Sequence, residues 1–247
     1  MNLLVDIGNS RLKWAIEREG DILNFEALDY RQEDFLACLR QRWQALEAPD
    51  QLALASVAQP QVAETVMTLA QSLWPQQLSF VRPHASRQAF GVVNAYAQAE
   101  TLGLDRWLAM LAAYREYPGG VCVIDCGTAI TVDVVHADGR HAGGLICPGL
   151  QAMKQALAVS TAALTVDGQM NQLDLAANTR TAIANGVLLA AVGLIETVIQ
   201  RFAAQCHVVL TGGDSRLLAD ALTESVDVDG HLVLKGLALY CTGVCSS

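Results

Sequence analysis

A chain of 247 residues, 52% of them apolar, suffices for one large domain or two modest ones and is too hydrophobic to stay disordered. The formal net charge is −9 with no run of Lys or Arg, which disfavours the cationic face that sequence-independent nucleic-acid binding requires. On this reading no uninterrupted apolar segment approaches membrane-spanning length, and Asp6, Arg11 and Lys13 interrupt any signal-peptide core, so a soluble cytoplasmic protein is expected.

The chain begins with an apolar run, Leu3 to Val5, that delivers Asp6 and then the turn Gly8-Asn9. Beyond it, Leu12, Trp14 and Ile16 alternate with other residues, which predicts a β-hairpin. Asp6 stands at its mouth, and Gly8, lacking a Cβ, allows the turn backbone to approach a ligand. Residues 21–28 form a third antiparallel strand on this reading. Helical spacing follows over 30–47, with Phe35, Leu39 and Trp43 on one face and Pro49 as the stop. A short buried strand over 51–57 and a helix from Pro60 to Trp74 complete a mixed sheet covered by helices.

The second half repeats this order. Residues 121–132, Val-Cys-Val-Ile-Asp-Cys-Gly-Thr-Ala-Ile-Thr-Val, again give an apolar strand, an aspartate (Asp125), a glycine turn and an alternating strand. A strand over 141–146, a helix from Pro148, a long helix over 178–203 and a strand over 206–210 follow. The recurrence points to a duplicated domain, with a boundary near Pro118-Gly119-Gly120: domains 1–118 and 119–247. Residues 160–177 carry the weakest pattern and are a candidate mobile segment. On the long helix, Ala182, Gly186, Ala190 and Gly193 form a stripe of small residues. Two interior glycines cost up to about 1 kcal/mol each in helix propensity, so the stripe suggests close approach by another helix, in the same chain or in a second copy.

Seven cysteines, an odd number, lack the paired spacing of a zinc site and are read as reduced thiols. The histidines at 84, 136, 141, 207 and 231 form no ligand-spaced set and are read as structural or solvated. No G-x-x-x-x-G-K-[ST], G-x-S-x-G or H-E-x-x-H occurs, so P-loop, serine-hydrolase and zincin chemistries have no sequence support.

Ahead of the boundary, Tyr96 precedes Leu102-Gly103-Leu104-Asp105-Arg106-Trp107, which opens a helix. Asp105 shares a face with Ala109 and Ala112. Spacing alone allows a carboxylate base beside an anion clamp. It also allows, and by itself favours, an aspartate suited to a helix N-terminus beside a solvated arginine.

Two D-x-G hairpins, each opening one half, resemble the acetate and sugar kinase/Hsp70/actin superfamily. The resemblance implies an α/β fold of two RNase H-like (actin-like ATPase) domains, each a mixed sheet flanked by helices. Within it, Y-x(6)-G-x-D-R between the hairpins is similar to type III pantothenate kinases, the Bvg accessory factor family. The matches continue through Gly143-Gly144-x-Ile146-x-Pro148-Gly149-Leu150, Asn178-Thr179-x-x-Ala182-Ile183-x-x-Gly186, Thr211-Gly212-Gly213-Asp214 and Leu234-x-Gly236-Leu237.

That resemblance implies ATP-dependent phosphorylation of pantothenate to 4′-phosphopantothenate, the first step of coenzyme A synthesis. It assigns the ATP phosphates to Asp6, Ile7, Gly8, Asn9, Ser10, Arg11, Leu12, Lys13 and Thr128. It assigns pantothenate to Tyr96, Gly103, Leu104, Asp105, Arg106 and Thr179, with Asp105 as catalytic base and Arg106 pairing the substrate carboxylate. Asp125 is implied to hold a monovalent cation, potassium or ammonium, and Mg²⁺ to arrive with ATP. A homodimer is implied as well. Ser10 stands where the family commonly has Thr, and Ala99 where many members have Pro. The same family includes proteins described as transcriptional accessory factors, the alternative reading; a phosphatase on the same fold is a third.

Overall fold

A computed structural model describes residues 1–75, 78–160 and 173–242. The chain divides into two compact units, Met1–Arg115 joined by the chain from His231 onward, and Glu116–Gly230.

The first unit opens with three antiparallel strands, β1 (Asn2–Ile7), β2 (Arg11–Arg18) and β3 (Asp21–Asp29). Helix α1 (Phe35–Gln44) leads to β4 (Gln51–Ser56), and α2 (Pro60–Leu73) leads to β5 (Ser79–Val81). The sheet order is β3-β2-β1-β4-β5, with β4 parallel to β1 and β5 parallel to β4. Leu3, Val5 and Ile7 share a core cluster with Phe35, Leu39 and Trp43 of α1 and Val66 and Leu69 of α2. Trp43 joins the layers, meeting Trp14 edge-on at 6.4 Å and stacking on Trp74 at 5.9 Å. Alternation turns Leu4 to the opposite face, where it too is fully buried.

A two-stranded ribbon, β6 (Gln88–Ala89) and β7 (Val92–Val93), precedes a 3-10 turn at Ala99–Thr101 and helix α3 (Leu104–Glu116). From Arg106 to Ala113 every residue of α3 is buried, the mark of a helix packed all round rather than on one stripe. The C-terminal helix, Leu232–Cys241, packs on β1, β2 and β4. A Cβ at Gly236 would overlap the Leu108 carbonyl, so its backbone lies directly against α3. That approach explains why the last helix groups with the first unit, whereas the division into 1–118 and 119–247 gave it to the second.

The second unit repeats the plan. Strands β8 (Gly120–Cys126), β9 (Ala129–Val135) and β10 (His141–Pro148) are antiparallel. Helices α4 (Leu150–Ser160) and α5 (Thr179–Phe202) lead to β11 (Cys206–Thr211), and α6 (Ser215–Ala221) leads to β12 (Asp227–Val228). The order β10-β9-β8-β11-β12 matches the first sheet position for position, which bears out the duplication. Residues 161–172 of the weakly patterned 160–177 stretch lie outside the described residues.

Contrary to the expectation that no apolar segment approaches membrane-spanning length, one helix does. Helix α5 is, by length and composition, apolar enough to cross a membrane. Its Leu188, Ala191, Ile195 and Val198 instead fill the core over β8, β9 and β11, so its hydrophobicity belongs to a buried core helix. His141 is structural: its Nε2 lies 3.0 Å from Asp133 Oδ1, both side chains buried between β9 and β10. All described cysteines are free thiols; Cys245 lies outside the described residues.

Candidate active site

In the first unit, Asp6 is the penultimate residue of β1, buried, and in register with Lys13 across the hairpin. Asn9 and Arg11 are exposed at the tip, with Gly8 and Ser10 half-buried. Gly8 N–H donates to Arg11 O at 3.0 Å and closes the turn. A glycine–asparagine turn predicts positive φ, yet neither residue adopts it, and a Cβ at Gly8 would meet only Arg11 O at 3.6 Å. The fold does not require this glycine; its bareness leaves the backbone N–H groups approachable, as a phosphate would need.

At the head of α3, Asp105 Oδ1 accepts the Arg106 N–H at 2.8 Å and lies where a Cβ on Gly103 would come within 2.7 Å. The glycine is needed for this carboxylate to fold back over the first turn. Little room is left beside this carboxylate: Asp105 itself occupies the space at Gly103, and Ala109 is packed in the core. Arg106 is not solvated. It is only 7% exposed, and its Nη1 donates to Tyr96 Oη at 3.0 Å while the guanidinium stands 5.8 Å from the Tyr96 ring centre. Tyr96, Asp105 and Arg106 are thus brought together.

The Tyr96 loop has its own framework. Tyr96 N–H donates to Asn94 Oδ1 at 2.9 Å, and Asn94 Nδ2 donates to the carbonyls of Ser86 and Ala99. Arg87 reaches the Asn94 and Ala97 carbonyls through its two terminal nitrogens. Sequence reading passed over both residues, although an asparagine two positions before Tyr96 is the signature of an Asx turn.

In the second unit, Asp125 is the penultimate residue of β8, in register with Thr211 of the parallel strand β11. Both therefore sit at carboxyl ends of adjacent parallel strands, where open α/β sheets bind ligands. Gly212, at φ +90°, lies so close that a Cβ would overlap Asp125 Oδ1, and one on Gly127 would come within 3.2 Å of the same atom. Asp214 N–H donates to Cys126 O at 2.9 Å, tying this turn to the β8–β9 hairpin. Gly149 N–H donates to Thr128 O at 3.0 Å, and a Cβ there would overlap the Gly127 carbonyl, so α4 begins directly on the hairpin. Thr128 is exposed at the tip. Burial raises the Asp214 carboxyl above its usual range, partly offset by the buried Lys154 of α4. Thr179 is exposed at the first position of α5, next to the N-cap Asn178, whose Oδ1 accepts the Thr181 N–H at 3.0 Å.

Among the described residues no cluster of three or more His, Cys, Asp or Glu side chains could hold a metal ion. A weakly held monovalent ion needs fewer charges and accepts carbonyl oxygens. A half-buried carboxylate wedged between two glycine turns fits that donor set. A cleft of about 320 Å³ in the same unit, lined by Cys206, His207, Glu224 and Asp227, opens at the opposite end of β11 from Thr211 and takes no part in this arrangement.

The model of the type III pantothenate kinase family matches residues 2–201. A type III pantothenate kinase from Nitrosococcus oceani is 38% identical, covering 96% of this chain and 92% of its own. One from Halorhodospira halophila is 37% identical, with 96% of each covered. The chain belongs to the type III pantothenate kinase family. Among solved structures, a conserved Baf family protein from Campylobacter jejuni superposes with a TM-score of 0.61 at 21% identity, covering 97% of both chains. An activator of 2-hydroxyisocaproyl-CoA dehydratase from Clostridium difficile, bound to ADPNP, gives 0.55 at 14%, covering 97% and 93%. At such identities the likeness shows the fold alone, that of the actin-like ATPases. For a type III pantothenate kinase the match spans both hairpins, the Tyr96 loop, the head of α3 and nearly all of α5.

Proposed function

We propose that this chain transfers the γ-phosphoryl group of ATP to the primary hydroxyl of pantothenate, giving 4′-phosphopantothenate, with Asp105 as the base. The observation that carries the assignment of roles is the buried Arg106, bonded to Tyr96 beside Asp105 at the head of α3. A planar guanidinium pairs a carboxylate in a fixed direction, so it can set the distance from the pantothenate carboxylate to its hydroxyl. Tyr96 Oη fixes the plane of that guanidinium. Asp105 then orients the hydroxyl and accepts its proton as it leaves, late in a loose transition state.

The turn from Asp6 to Lys13 binds the ATP phosphates through backbone N–H groups and the Lys13 ammonium, and the family resemblance assigns Thr128 to the same ligand. Positioning and charge neutralisation are what phosphoryl transfer asks of a protein. Mg²⁺ arriving with ATP supplies charge neutralisation when bound. Asp125 holds a potassium or ammonium ion, and Thr179 contacts pantothenate. The protein works in the cytoplasm; it does so as a homodimer, an assembly the exposed small-residue stripe of α5 supports.

An ATP-consumption assay with and without pantothenate, with the product identified by mass, tests the activity. No pantothenate-dependent turnover at saturating Mg²⁺-ATP and potassium would overturn it. The role of Asp125 is tested by exchanging potassium for sodium or a bulky organic cation at fixed ionic strength; equal rates in all three would remove it.

A further inference from the structure

We propose that Asn94 and Arg87 are positioning residues for the carboxylate clamp, a brace whose purpose is to hold Tyr96 against Arg106. This deepens the proposed pantothenate kinase activity and rests on it. Arg106 is charged and buried, so its orientation must be imposed by neighbours that are themselves fixed. Tyr96 is a neighbour that contacts it directly, through a 3.0 Å bond and its ring face. Yet Tyr96 is carried on a segment, residues 94–98, that belongs to no strand or helix. Such a segment has no ladder to hold it, and a hydroxyl on it would wander over distances that abolish a directed bond.

The brace supplies what a ladder would. Asn94 is 2% exposed and uses both ends of its amide: Oδ1 takes the Tyr96 N–H at 2.9 Å, while Nδ2 gives to Ser86 O at 3.3 Å and Ala99 O at 3.2 Å. One side chain thus fixes the start of the segment, Tyr96 itself, and the turn that leads into α3. Arg87 adds a second clasp: Nη1 gives to Asn94 O at 3.0 Å and Nη2 to Ala97 O at 2.8 Å, one residue on either side of the Ala95-Tyr96 pair. Asn94 N–H returns to Arg87 O at 2.9 Å, so the clasp is anchored to the β6–β7 ribbon. Five side-chain bonds, reaching Ser86, Asn94, Tyr96, Ala97 and Ala99, hold this loop without touching Asp105 or the hairpin turn at Gly8. A brace of that placement acts on the substrate anion and leaves ATP alone.

Three variants separate positioning from general stability. Asn94→Ala removes both ends of the amide. Asn94→Asp keeps the acceptor for Tyr96 but sets a carboxylate oxygen against two carbonyls, so it should not rescue. Arg87→Ala leaves a gap that a small guanidinium can fill. Losing two to three hydrogen bonds that orient a charged clamp should raise the KM for pantothenate about ten- to a hundredfold. The KM for ATP should stay within about twofold, and kcat should fall less than the pantothenate KM rises. Millimolar ethylguanidine should restore the Arg87→Ala KM and leave the parent unchanged. Hydrogen exchange provides a readout independent of turnover: the Tyr96 amide should be protected in the parent and exposed in Asn94→Ala, with an unfolding temperature near the parent's. Loss of that protection with an unchanged pantothenate KM would reduce the brace to a structural role and overturn the proposal. Equal rises in both KM values would do the same. A parent protein inactive on pantothenate would instead sink the activity reading itself, whatever the exchange data show.

Discussion

Asp125 Oδ1 occupies the space into which a side chain at Gly212 would project, so the carboxylate at the end of β8 and the turn after β11 are in direct contact. Gly212 also holds φ at +90°, where an L side chain is strained by about 1–3 kcal/mol. Gly212→Ala should therefore lower the unfolding temperature and displace Asp125 together. The displacement is read as a higher potassium concentration for half-maximal rate. An alanine variant with the parent's potassium curve would show that Asp125 does not hold the ion.

Asp105→Asn keeps the shape and the acceptor for the Arg106 N–H while removing charge and basicity. Positioned general-base catalysis contributes about 10²–10⁴-fold, so kcat should fall by that factor while ATP affinity holds. Arg106→Ala should act on the other side of the same site and raise the pantothenate KM. A folded Asp105→Asn protein working near the parent rate would move the base elsewhere.

The two hairpins were legible in the sequence because each needs only a local pattern: an apolar run, Asp6 or Asp125, a glycine and an alternating strand. The common strand order followed from their recurrence. What spacing could not give was the state of Arg106, which on spacing alone reads as a solvated residue. Its burial comes from a loop held by Asn94 and Arg87 and from packing all round α3, and neither is periodic in the sequence. The same is true of the last helix, whose allegiance is set by the bare Gly236 lying on the Leu108 backbone, a contact between distant parts of the chain. Short elements such as β6, β7 and β12 have only two residues each and leave no readable period.

The thiols should be inert. Burial pushes Cys122 up to about 12, and burial with the nearby Glu17 carboxylate pushes Cys241 up to about 12. Cys126 is raised further by burial beside Asp125 and Asp214. The thiolate is the reactive form, so at pH 8 alkylation of Cys122 and Cys241 should be slower than in the unfolded chain by about three orders of magnitude. Their rates should climb roughly tenfold per pH unit toward about 12, because deprotonation is what limits them. Mass-resolved labelling with iodoacetamide measures this directly; prompt modification of Cys122 in the folded protein would contradict it.

The stripe on α5 bears on both assembly and catalysis. Ala182, Gly186 and Ala190 are exposed, and a Cβ on Gly186 or Gly193 would meet nothing within 4 Å, so no helix of the second unit fills the groove among the described residues. Leu189 on the same helix, with Leu145 and Ile146 of β10 and Leu157 of α4, is exposed as well. Interior glycines that cost about 1 kcal/mol each in propensity and pack against nothing in their own unit would be accounted for by a second copy lying along the helix. Thr179 begins that helix, so a partner seated there would lie beside a residue assigned to pantothenate. Association and substrate binding should then be linked. Sedimentation equilibrium should find a dimer at micromolar concentration, and Gly186→Leu should weaken it and raise the pantothenate KM while the ATP KM holds. A monomeric parent, or a Gly186→Leu protein that dimerises as well as the parent, would remove the groove from the interface.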